Sequence, residues 1–431
     1  MNKKIIICIV FAMCFLSKGY AQSGTNSPYS MYGLGILSDR SQGFNRGMAG
    51  VAQGFRGGSY INMQNPASYS NIDSLSFIFD AALSLQNMNI EENGNKANAK
   101  NANFEYVVAA FRVAKHLGAS FGIMPFTNIG YDFTQKGTIT DPFLDVYENN
   151  YYGSGGIREV YLGLGWNPFK GLSIGFNAGY LWGDMTKTIH SSHSISSANS
   201  LNRIYSTNIN SYTFDFGLQY EQPIKKDDRI IIGATYTLGH NLGNTAYAYD
   251  VKTDTTSYSV GDAYSIPHII SAGVGWHHKD KWSVGIDYTM YKFGDTEIPD
   301  LTSVSPTKNI YAKTKGLMLD RHKIAVGGEW VPNAMSRRFL DRVHYRLGGY
   351  YATPYIKVYD HNKNLVDGPK EYGLSFGFGI PIINTYNSRS LLNISGQWVH
   401  SGMDSLIKEN YLRLTVGLTF NERWFAKWKF D

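Results

Sequence analysis

The 431-residue chain carries 40 Lys and Arg against 34 Asp and Glu, with 43% hydrophobic, 14% aromatic and 17% charged residues. Charged residues make up about 25% of an ordinary soluble protein, so this composition, with 45 Gly, 31 Tyr and 23 Phe, fits an all-β protein that faces something apolar. A formal charge of +6 is too modest to argue for nucleic acid.

Residues 1–21 read as a signal peptide. Lys3 and Lys4 precede the apolar run 5–16, and small residues at Gly19 and Ala21 suit cleavage after Ala21. The run is too short to span a bilayer as a helix. Cys8 and Cys14 leave with it, so the mature chain has no disulfide and no thiol chemistry. Three lysines leave as well, and the formal charge falls from +6 to +3.

Residues 22–73 show no strand pattern and are rich in Gly, Ser and Asn. Tyr29, Met31, Tyr32, Leu34, Ile36, Leu37, Met48, Val51 and Phe55 are too many apolar residues for a free polar tail. The expectation is a hatch, or plug, folded inside the remainder of the chain.

From 74 to 431 the pattern has period two. In 172–182, Leu172, Ile174, Phe176, Ala178, Tyr180 and Trp182 share one parity, and Ser173, Gly175, Asn177 and Gly179 the other. Trp282, Val284, Ile286, Tyr288 and Met290 repeat it, as do Leu412, Leu414, Val416, Leu418 and Phe420. One face is apolar, and the other is small or polar. About fourteen such segments are predicted, near 74–88, 103–114, 119–134, 158–167, 172–184, 211–222, 229–243, 266–277, 281–293, 322–331, 342–355, 371–381, 390–400 and 409–421. An even count of this size belongs to transmembrane barrels.

The connectors support this. Those at 115–118, 167–171, 223–228 and 277–281 are short, whereas 135–157, 185–210, 244–265 and 294–321 are long and polar. Short periplasmic turns opposite long outer loops characterise an outer-membrane barrel. Trp166, Trp276, Trp282 and Trp330 flank short turns, Trp182 and Trp398 lie near the long-loop ends, and Trp424 and Trp428 follow the last strand. Two interfacial aromatic girdles give this placement. A secreted β-sandwich or propeller also alternates but explains neither feature. The predicted class is therefore all-β, a transmembrane antiparallel barrel in the outer membrane with lipid around it.

Parity points Glu159, Asp215, Glu221, Asp287 and Arg413 into the lumen, as a structural hydrogen-bond network or as the lining of a polar path. No catalytic arrangement emerges. Asp184, His190, Ser191 and His193 fall in a polar stretch read as solvated loop. The two histidines have no ligand cluster for zinc, and His277 and His278 read as surface residues of a tight turn. The chain is read as a non-enzyme without cofactor or metal.

The third predicted strand contains its own interruption, with Pro125 between Gly122 and Gly130. Proline lacks the ladder N–H and glycine weakens a strand. A break in lipid requires cover, because an unsatisfied backbone group there costs several kcal/mol.

Taken together, the leader, the segment before the barrel, the strand count and the tripeptide Asn65, Pro66, Ala67 just before the first strand resemble the FadL/TodX family of outer-membrane transport proteins. The Gly run opening 153–166 is also similar, and the aromatic, basic ending resembles barrels of this group from the Bacteroidota. The resemblance spans essentially the whole mature chain. It implies a hatch at 22–73, a barrel at 74–431, and a lateral gate where the third strand kinks at Gly122, Pro125 and Gly130. It also implies passage of hydrophobic, fatty-acid-like small molecules, without cofactor or energy source. Some relatives instead serve as protein-binding subunits of secretion machines. The polar loop 186–211 and the lumen charges keep that alternative, a subunit with outer-membrane protein partners, in view.

Overall fold

The computed structural model describes residues 24–139, 145–193, 200–305, 308–360, 362, 364–382, 390–403 and 406–423. The predicted leader, both cysteines, Trp424 and Trp428 lie outside the described residues. The alternation becomes fourteen barrel strands: β1 (Ser76–Glu92), β2 (Asn95–Ala114), β3 in two halves (Leu117–Pro125 and Thr127–Ile139), β4 (Asp145–Phe169), β5 (Leu172–His193), β6 (Leu201–Pro223), β7 (Asp228–Thr237), β8 (Ile269–His278), β9 (Trp282–Tyr291), β10 (Arg321–Trp330), β11 (His344–Ala352), β12 (Lys370–Pro381), β13 (Leu391–Gly402) and β14 (Lys408–Arg423). Each pairs antiparallel with its chain neighbours, and β1 pairs with β14 from Ser76↔Arg423 to Glu91↔Lys408, which closes the barrel. Closure removes the sheet edge that a bilayer does not tolerate. Among the described residues, no helix is long and apolar enough to cross a membrane.

The apolar parity faces outward. Leu83, Leu85, Leu347, Leu374, Leu412 and Phe376 are all more than half exposed. Trp166, Trp276, Trp282 and Trp330 are also exposed, and the last two stack across β9 and β10 at 5.6 Å. In water such a surface would aggregate; in lipid it is solvated.

Two expectations change. The stretches 135–157, 185–210, 244–265 and 294–321 are predominantly strand. β3, β4, β5 and β6 extend through the first two, and hairpins Thr245–Val251/Thr255–Gly261 and Ile298–Ser305/Lys308–Thr314 fill most of the others. Their polarity reports water outside the bilayer, whereas the cross-strand ladder continues because it satisfies the backbone. Accordingly Asp184, His190, Ser191 and His193 lie in β5, and His190 Nδ1 sits 2.7 Å from Asn202 Oδ1 on β6. His277 is not on the surface: it is 3% exposed, with its ring nitrogens at 2.9 Å from Ser283 Oγ and from the Gly54 carbonyl.

Candidate functional site: the occupied interior and the opening in the wall

Residues 24–73 lie against the inward faces of the strands. Alternation leaves small residues on those faces, and the segment rests directly on wall backbone. A Cβ on Gly275 would meet the Gly54 carbonyl oxygen at 2.2 Å, and one on Gly348 would meet Met48 backbone at 2.4 Å. Val51, Ala52 and Ile61 are fully buried.

Asn65, Pro66 and Ala67 open a 3-10 turn, Pro66–Asn71. The Asn65 side-chain oxygen accepts from the Ala67 N–H at 3.2 Å, capping the turn, while its amide donates to Gln53 Oε1 at 3.1 Å and to the Leu218 carbonyl on β6 at 3.3 Å. Proline at the first turn position forgoes a donor that has no helical partner there. Tyr69 at the far end donates to Asn177 Oδ1 on β5 at 3.0 Å. The tripeptide thus anchors the segment to the wall.

Charges bind the rest. Arg40 Nη2 lies 3.1 Å from both Glu159 and Asp215, and Asp215 also accepts from Thr237 at 2.6 Å. Arg56 pairs with Glu221 at 2.6 Å. Asp287 accepts the backbone N–H groups of Ala52 and Gln53 at 2.6 and 3.0 Å. Arg413 donates to Gln86 at 3.0 Å and lies over the Tyr411 ring. Four of the five sequence-picked interior residues therefore hold the N-terminal segment, and the fifth lines the space beside it. Parity could not reveal the partner cations Arg40, Arg46 (2.9 Å from Glu105) and Arg56, because residues 22–73 have no period. Arginines spaced through a Gly-rich segment facing inward acids were the available signal. Burial pushes the Asp39 carboxyl up, but Arg46, Lys323 and Arg413 outweigh it and hold the group well below the usual carboxylate range.

The wall itself opens between β2 and β3. These strands pair only from Val107↔Ile123 to Ala114↔Leu117. Beyond that, among the described residues, Asn95–Tyr106 of β2 has no strand on its β3 side. β3 breaks at Phe126, directly after Pro125, whose register partner is Arg158. Its second half resumes on β4 at Ile129↔Gly155. Gly122 sits where a Cβ would meet the Val107 carbonyl at 2.5 Å, near the last β2–β3 pair.

The N-terminal segment covers this break. Phe126 donates to the Ile157 carbonyl at 2.7 Å, and its own carbonyl accepts from Ser38 at 3.1 Å. Ile36 and Leu37 pair with Asn128 and Thr127 as a short added strand. Ser30 Oγ bonds both the N–H and the carbonyl of Gly130. On the other lip, Asn103 donates to the Gly24 carbonyl at 2.6 Å and Asn26 to the Lys100 carbonyl at 3.3 Å.

Beside the opening lies a cavity of about 110 Å³ lined by Asp39, Glu105, Lys323, Glu371 and Arg413, among others. A second of about 110 Å³ adjoins it around Asp39 and Lys323. At the loop end, Tyr29, Leu34, Phe126, Tyr264, Phe293 and Tyr355 belong to one cluster of buried apolar residues.

The closed fourteen-stranded barrel is a fold that this chain shares with solved channels. The CymD monoaromatic hydrocarbon channel superposes with a TM-score of 0.57 at 14% identity, covering 89% of this chain and 97% of that one. The toluene transporter TbuX of Ralstonia pickettii gives 0.57 at 13%, covering 87% and 97%. A FadL homologue of Pseudomonas aeruginosa gives 0.59 at 12%, covering 89% and 99%. At these identities the likeness is one of fold. The BamG family model matches residues 1–431, and the chain belongs to the BamG family. No curated protein matches it in sequence.

Proposed function

We propose that the protein is an outer-membrane channel for a hydrophobic small molecule, here in its closed state, with residues 22–73 as the hatch and the opening between β2 and β3 as a lateral exit. The observation that carries this reading is the coincidence of three features: the break after Pro125, the missing β2–β3 pairing above it, and the cover drawn from the N-terminal segment. A wall built only for strength has no use for this combination. Solved barrels of the same fold include a monoaromatic hydrocarbon channel and a toluene transporter, which supports the ligand class. Release of Gly24–Ser38 would expose the opening to the outer leaflet, and Gly122, Pro125 and Gly130 would act as the gate.

A second reading rests on the interior. Its two cavities beside the opening are small and lined by charged groups, and its wall is stitched to the segment by ion pairs. A hydrophobic molecule favours neither. These features, with membership in the BamG family, support a non-transporting barrel that binds protein partners in an outer-membrane secretion or assembly complex.

Native mass spectrometry of the barrel, gently extracted from its own membrane, separates the two. The channel reading expects a bound hydrophobic small molecule. A stoichiometric protein partner with no such molecule would replace it with the second reading.

A further inference from the structure

The turn between β10 and β11 is unlike its neighbours. Those at 115–116, 170–171, 224–227 and 279–281 are tight and mostly Lys, His, Gly and Asp. This one runs from Val331 to Val343 and has its own internal bonds. Asn333 donates its N–H to the Asp341 carbonyl at 2.8 Å, and its side-chain oxygen accepts from the Met335 N–H at 3.1 Å. Ser336 Oγ donates to Asp341 Oδ2 at 2.7 Å and accepts from the Arg338 N–H at 3.1 Å. A 3-10 turn, Leu340–Arg342, completes it.

This ordered turn presents its large apolar residues instead of burying them. Met335 is 93% exposed, Leu340 66% and Phe339 48%. Arg337 and Arg338 stand exposed among them, and Arg342 follows. Asp341 is the only acid in 331–343, so the turn is cationic. Exposed Lys281 adds to it, since its carbonyl accepts the Val331 N–H at 2.8 Å.

The turn leans to the lipid side. The Tyr345 hydroxyl donates to the Leu340 carbonyl at 3.1 Å, and the Tyr345 ring lies 5.5 Å from that of Trp330, which stacks on Trp282. The exposed apolar residues therefore continue the outward aromatic girdle past the strand ends, where hydrocarbon gives way to headgroups. Apolar side chains interleaved with guanidinium groups suit that boundary. The former enter the acyl region, the arginine stems follow them, and the charged ends meet phosphate. A zwitterionic headgroup brings its own cation, whereas an anionic one leaves its charge for the protein to neutralise.

We propose that the turn 331–343 is a binding site for anionic phospholipid, with Arg337, Arg338 and Arg342 on the headgroup phosphate and Met335, Phe339 and Leu340 among the acyl chains. The site requires only that the barrel lies in a bilayer, and it holds for either reading of function.

The test is native mass spectrometry of the purified full-length barrel released from nanodiscs of equimolar phosphatidylglycerol and phosphatidylcholine. The expected result is preferential retention of phosphatidylglycerol. In Arg337→Gln with Arg338→Gln, two exposed positions whose loss leaves the barrel's folded electrophoretic mobility unchanged, that preference should fall at least about fivefold. The same loss of charge in the tight turn, Lys225→Gln with Lys226→Gln, should leave it within about twofold. Equal retention of the two lipids by the unaltered barrel overturns the proposal, as does an equal fall in both double variants, which would mean a diffuse charge effect. A preference untouched in the arginine variant, with loss of a copurifying protein instead, would make the turn a protein-docking surface and overturn the lipid assignment.

Discussion

Arg40 stands between two carboxylates, one of them fully buried, and pairs with both at 3.1 Å. Arg40→Ala should cost about 3–5 kcal/mol, the cost of leaving buried charges unpaired, read as a lowered melting temperature of the detergent-solubilised barrel. Adding Glu159→Gln and Asp215→Asn should restore most of it; failure to recover would mean that Arg40 acts through packing and not charge. Gly275 makes a second point. A side chain there would strike Gly54 backbone, so Gly275→Val should destabilise by about 1–3 kcal/mol through overpacking and loosen residues 51–56 to limited proteolysis. The inward direction of Glu159, Asp215 and Asp287 was legible from parity. Their partners were not, because an aperiodic segment carries no register. The burial of His277 was hidden because a turn-flanking histidine looks exposed until a second layer of chain is known to cover it.

At the scale of elements, β3 is the informative strand. The interruption at Pro125 was legible because proline and glycine declare backbone needs directly. What covers it was not, since Ser30, Ile36–Leu37 and Ser38 are ordinary residues whose role comes from position alone. Pro125→Val restores a ladder donor. It should leave the barrel folded, with unchanged heat-modifiable migration on gels, and reduce uptake of a hydrophobic probe severalfold. Uptake at the full rate would remove the gate assignment from this strand. The strand ends were legible only within the bilayer. Apolar alternation stops at the membrane surface, but the hairpins of β4, β5 and β6 run on into water, where hydrogen bonding and not hydrophobic patterning maintains them.

For the whole molecule, composition and alternation were enough to specify a barrel, because lipid forces both an apolar outer face and closure. That the interior is filled and clamped by ion pairs follows from a conflict the sequence only hinted at, inward acids without visible partners. In the channel reading, opening the wall requires Gly24–Ser38 to leave both lips. Asn128 donates to Ser38 Oγ at 2.8 Å across that seam, so the pair Ser38→Cys and Asn128→Cys offers a reversible lock. The decisive experiment is transfer of a fluorescent hydrophobic probe into cells carrying this double variant, oxidised and then reduced. Transfer should be lost on oxidation, return on reduction, and be unaffected by oxidation in either single variant. Equal transfer in the locked and unlocked barrel would contradict a lateral exit guarded by this segment.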